Sequence, residues 1–101
     1  MATGGKREEI DAKIKAWEQD LERFRVALSR APESVHAQCH PSFMEVYRAK
    51  EIVKSRWEEV RGVYRPDSAA MERFHEALAS MEGGWAAAYP ILADGLQRHA
   101  P

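Results

Sequence analysis

The chain has 101 residues, 45% of them hydrophobic and 31% charged, with a formal net charge of −1. That is enough for one small domain, and near-neutrality provides no global field toward nucleic acid or anionic lipid. Cys39 is the single cysteine, so no internal disulfide framework exists, and no stretch approaches the roughly 20 apolar residues of a membrane helix.

Residues 1–5 read as a frayed start, with Thr3 as a candidate N-cap. They lack the apolar run of a signal peptide, so the expected location is the cytoplasm, and the simple composition suits a bacterial protein. A first helix is expected over about residues 6–30. Its large apolar residues are Ile10, Ile14, Trp17, Leu21, Phe24 and Leu28, in steps of 4, 3, 4, 3 and 4. That is the a/d stripe of a heptad repeat. The intervening positions are mostly charged, and Glu9–Lys13 and Asp11–Lys15 have the spacing of favourable i,i+4 pairs. A helix with such a stripe needs a partner to cover it.

Pro32 disfavours helical geometry at Ala31, which places a connection over residues 31–41 with a short helical turn inside it. The alternative is a kinked helix continuing to Cys39. After Pro41, Ser42-Phe43-Met44-Glu45 fits a capping box and starts a second helix over about 43–64. Its stripe is Phe43, Val46, Lys50, Val53, Trp57, Val60 and Tyr64. Lys50 breaks the apolar series. It either fixes register as a polar core residue or snorkels at a loose end of the core.

Arg65-Pro66-Asp67-Ser68 reads as a turn, and a third helix follows over about 67–82. Its stripe of Met71, Phe74, Leu78, Met81, Trp85, Ala88 and Leu92 keeps its phase through Gly83-Gly84. Two interior glycines cost about 2 kcal/mol relative to alanine, and Pro90 adds a second interruption. A break near Glu82 and a short C-terminal helix over about 84–97 are therefore expected, with residues 99–101 frayed. Together these elements predict a single all-α domain over residues 6–98. The expected fold is an antiparallel three-helix bundle or helical hairpin with coiled-coil heptads and a short C-terminal helix. Trp17, Trp57 and Trp85 fall on the three stripes as core packing. A bundle this thin leaves stripe surface wet, so a homodimer is expected.

Residues 6–17, Lys6-Arg7-Glu8-Glu9-Ile10-Asp11-Ala12-Lys13-Ile14-Lys15-Ala16-Trp17, resemble the opening of small bacterial coiled-coil proteins of stress-response type. Ala49-Lys50-Glu51 with Trp57-Glu58-Glu59-Val60 is similar to their second helix, and Phe74 to Leu92 to their last. The likeness spans residues 6–92. It departs at the connection, where this chain carries Pro32, Pro41 and a His/Cys cluster, and at Gly83-Gly84. The resemblance implies a non-enzymatic helical protein with a stress-linked role, and it brings no catalytic residues.

Three clusters carry chemistry. His36, Cys39 and His40 lie at i, i+3 and i+4, and imidazole and thiolate suit Zn or Cu. Flanking histidines would also favour a thiolate at Cys39. Three ligands fall one short of a structural zinc site, so a plain connection is the competing reading. The same residues resemble a Cys-x-x-Cys-His haem attachment motif with His36 replacing the first cysteine. Glu72-Arg73-Phe74-His75 matches the Glu-x-x-His half-motif of di-iron bundles, but Phe74 takes the stripe position and turns Glu72 and His75 aside. Finally, Trp85, Tyr89 and Leu92 at i, i+4 and i+7 have the layout of a helix that docks into a partner's groove through residues 85–92. The alternative is that this segment folds back over the bundle. No nucleophile set, phosphate loop or dinucleotide fingerprint is present. The leading expectation is a non-enzymatic protein that self-associates. Metal binding and partner docking are the alternatives.

Overall fold

The heptad stripes form three long helices, α1 (Ala2–Ser29), α2 (Glu33–Arg61) and α3 (Ser68–Gln97), in a computed structural model that describes residues 2–97. At 1.5 Å rise per residue each is about 42–45 Å long. They pack as an antiparallel, up-down-up bundle measuring 50 × 24 × 18 Å. The chain is all-α, with no strand among the described residues. No helix is long and apolar enough to cross a membrane. The expected fraying of residues 99–101 lies outside the described residues.

The core is the union of the three stripes. Ile14, Trp17, Leu21 and Leu28 are buried from α1, and Phe43, Val46, Val53, Trp57 and Val60 from α2. Phe74, Met81, Ala88 and Leu92 complete it from α3. The central helix is α2. It packs extensively on α3 and less closely on α1, and the α1 and α3 backbones approach only sparsely.

Every expected break inside a stripe is absent. Only Arg30, Ala31 and Pro32 separate α1 from α2, held by Arg30 and Ala31 N–H groups donating to Ala27 and Leu28 carbonyls. Residues 33–42 are therefore helix, not connection. Pro41 sits inside α2, and the Ser42–Glu45 capping pattern lies mid-helix. The reason is burial: Val35 and Cys39 extend the α2 stripe upstream, at 1% and 0% exposure. At the other end α2 stops at Arg61, and Tyr64, expected on the stripe, is 92% exposed in the turn. Likewise α3 runs unbroken through Gly83-Gly84 and Pro90 to Gln97, so there is no separate C-terminal helix. Leu92 and Gly95 are buried beyond Pro90. Residues 2–5 are helical too, and Thr3 falls within α1 rather than capping it.

The upstream end of α2 and the downstream end of α3 are one unit. Cys39 Sγ lies over Gly95 so closely that a Cβ there would stand 2.6 Å from the sulfur. A Cβ on Gly84 would meet Val46 at an ordinary 3.9 Å, and one on Gly83 would meet nothing within 4 Å. The interior glycines are thus not equivalent. Gly83→Ala is expected to stabilise the protein by about 1 kcal/mol through helix propensity. Gly95→Ala should destabilise it, because overpacking costs about 1–3 kcal/mol and outweighs that gain. Adding Cys39→Ala should remove most of the Gly95→Ala penalty. Urea unfolding of the four proteins measures the cycle.

Candidate functional site

Adjacent residues on a helix diverge by about 100°, so Cys39 and His40 cannot point the same way. The boundary between core and solvent runs between them. Cys39 is fully buried, and its thiol donates to the Ile91 carbonyl of α3 at 3.9 Å. His36 and His40 are exposed, and their rings stack with centroids 4.9 Å apart and planes 15° from parallel. The structure therefore brings together the two histidines but not the expected set of three. Among the described residues, no group of three His, Cys, Asp or Glu side chains is placed to hold a metal ion. Glu72 and His75 are both exposed, as the stripe phase required. Burial also pushes the Cys39 thiol up from its ordinary pKa, opposite to the activated thiolate that flanking histidines implied.

The docking residues divide in a similar way. Leu92 is fully buried in the core, so residues 85–92 are not a free docking helix. Trp85 is half-buried and Tyr89 is 47% exposed. Both meet Phe24 of α1, at ring-centroid distances of 6.1 and 5.7 Å, and each other at 5.5 Å. This aromatic trio bridges α1 and α3 where their backbones stand apart. It belongs to a longer apolar seam between the two helices. At one end Ile10 and Lys13 face Phe74, His75 and Leu78, and at the other Phe24 and Ala27 face Tyr89, Ala93 and Leu96. Ile10, Phe24, Met71, Leu78, Trp85 and Leu96 pack on the core but are only partly buried. The sequence carried a signal of this: these are bulky stripe positions of two parallel helices with only α2 to cover them.

Polar contacts fasten α1 to its neighbours. The i,i+4 pairs expected along α1 give way to ties between helices. Lys13 reaches Glu82 of α3 at 2.6 Å, and Asp11 takes two bonds from Arg61 of α2, Nε to Oδ1 at 3.0 Å and a terminal nitrogen to Oδ2 at 2.8 Å. Asp11 also accepts the Trp57 indole N–H at 2.7 Å. Lys50 lies mid-helix and only 5% exposed, not at a loose end. Its ammonium bonds Glu51 at 2.8 Å, stands 3.9 Å from Glu18, and lies 4.3 Å from the centre of the Tyr47 ring. Lys54 completes the group by donating to Glu18 at 2.9 Å. The buried lysine thus has carboxylate and aromatic partners, which lowers the cost of placing a charge there.

The chain matches no protein-family model, no curated protein and no solved structure.

Two measurements follow from these placements. Cys39 should resist alkylation by iodoacetamide in the folded protein and react fully in urea, with the native rate reporting local opening of α2 from α3. The Arg61 guanidinium, and then the Trp57 N–H, hold the Asp11 carboxyl below its ordinary pKa. A carboxylate depressed on folding contributes stability that is complete above its unfolded-state pKa and is lost as pH falls through the folded-state value. Asp11→Ala should cost about 1 kcal/mol at neutral pH, chiefly because the largely buried Trp57 N–H loses its acceptor. In urea titrations that difference should shrink below about pH 4, where the carboxyl of the unfolded chain begins to take up its proton, and go on shrinking as pH falls through the lower folded-state value.

Proposed function

We propose that this is a non-enzymatic helical association protein whose partner, in the first instance, is a second copy of the same chain. The observation that carries the reading is the open seam between α1 and α3. Its apolar surface comes from half-buried Ile10, Leu78, Phe24, Trp85 and Leu96 and exposed Tyr89, with the Lys13–Glu82 pair crossing it and Glu9 and Arg23 at its edge. Surface of that kind, running along a bundle and bordered by charge, is the usual basis of protein association.

The charge order on the flank of α1 favours a second copy as occupant. Glu9, Lys13, Asp20 and Arg23 follow one row of that helix, alternating negative, positive, negative, positive. A two-fold axis crossing α1 near Ala16 sets Glu9 opposite the partner copy's arginine and Lys13 opposite its aspartate, each contact occurring twice. Such self-complementarity is what an isologous interface requires. Ala16 at the crossing is small enough to let the helices approach. Within one chain Arg23 already pairs with Asp20, and Lys13 with Glu82, so association would exchange or share these exposed pairs. Trp85 and Tyr89, read from the sequence as docking residues, take part as members of the seam.

Sedimentation equilibrium on the full chain tests this. The expected result is a dimer at tens of micromolar. Arg23→Glu should weaken it at least tenfold, and the exchanged pair Glu9→Arg with Arg23→Glu should restore it. Circular dichroism should show equal helicity in all three. A monomer throughout, or a dimer indifferent to both charge changes, would overturn the proposal.

A further inference from the structure

We propose that His36 and His40 form a two-imidazole site for a divalent first-row cation, copper(II) above all, and that the bound ion clamps the first two turns of α2. The argument starts from spacing. Residues four apart stack on one face of a helix, and His at i and i+4 is the arrangement by which a helix presents two imidazoles to one ion. Here the two rings lie next to each other on the exposed face, 4.9 Å between centroids and 15° between planes. Because both are exposed, rotation about their side-chain bonds can turn a nitrogen of each, whose lone pair lies in the ring plane, toward one ion. No folding barrier separates them from solvent, and an ion can reach them without disturbing the core. The donor set is two neutral nitrogens with the remaining positions open to water. Imidazole suits copper, nickel and zinc, and for one such site affinity rises from nickel to copper and falls again at zinc. Cys39 is not part of the site, since its sulfur is buried between Gly95 and the Ile91 carbonyl.

The position of the pair gives binding a consequence. Pro32, at the N-cap position just before α2, supplies no side-chain cap, and Pro41 lies inside the helix. Proline has no N–H, so the Ala37 carbonyl lacks its i+4 donor. This opening of the hydrogen-bond ladder falls in the turn that His36 and His40 span. A metal bridge between them closes by coordination the turn that the backbone leaves open. Val35 and Cys39, the buried residues of the same two turns, are the contacts through which this stiffening would reach α3.

The test uses the full chain, purified without a tag and stripped with a chelator. Calorimetric titration with copper(II), nickel(II) and zinc(II) should show one ion per chain, copper the tightest, and each ion should raise the melting temperature. The copper protein should give electron spin resonance of a nitrogen-ligated, water-completed centre. His36→Ala and His40→Ala, both surface changes, should each weaken copper binding at least tenfold while leaving metal-free melting nearly unchanged. Cys39→Ala should leave copper affinity as it is. Wild-type affinity in either histidine variant, or a sulfur-to-copper charge-transfer band in the native complex, would overturn the proposal.

Discussion

The contact between α2 and α3 is the constraint from which the other features follow. It brings the two helices close enough for Cys39 to fill the space over Gly95 and for Val46 to meet Gly84. Along it Phe74, Met81 and Leu92 become fully buried, and Trp57 packs on Phe74 with ring centroids 5.0 Å apart and planes tilted by 34°. A proline inside a helix costs about 3 kcal/mol or more, and this pair of helices carries two. Burying one large apolar side chain contributes about 1.5–3 kcal/mol, so a few such residues beyond each proline offset the cost. Val35 and Cys39 do this upstream of Pro41, and Leu92 with Leu96 downstream of Pro90. These two ends face each other, so each extension is stable only because the other is present.

α1 is held differently. One side of its stripe enters the core, but much of its attachment is polar: Asp11 to Trp57 and Arg61, Glu18 to Lys54, and Lys13 to Glu82. Exposed ion pairs of this kind add little stability and are screened by salt, although they fix register and orientation. Asp11 is the exception in quality, since it takes two bonds from one guanidinium and a third from an indole that is 9% exposed. The result is a helix in defined register on α2 that does not close over α3. The apolar seam is therefore a consequence of how the third helix is attached, and the aromatic trio of Phe24, Trp85 and Tyr89 only partly fills it.

The local signals that misled were correct as local chemistry. Ser42-x-x-Glu45 is a good cap pattern, Gly83-Gly84 is a weak helix segment, and proline disfavours helix at the residue before it. None of these rules contains the packing partner. The phase of the stripes did contain it: Cys39 continues the α2 series upstream, with Val35 a further step of four beyond it, and the α3 series crosses both interruptions in step. Periodicity sums over many residues, whereas a cap or a breaker acts at one. The His/Cys cluster failed for a related reason. Spacing alone places residues i, i+3 and i+4 on one broad face, but a core boundary can divide that face, as it does between the Cys39 thiol and the His40 ring.

What the sequence by itself determined is the all-α class, the three stripes, a break ahead of α3 at Arg65-Pro66-Asp67 and the core roles of Trp17 and Trp57. Each is written in a pattern that repeats along the chain or in the turn chemistry of a few neighbouring residues. Only the tertiary structure decided the true helix ends, the burial of Cys39 and Lys50, the Asp11 anchor and the open seam between α1 and α3. All of these depend on which helix lies beside which, and at what distance. That information resides in pairs of residues such as 39 and 95, or 11 and 61, which no local spacing relates.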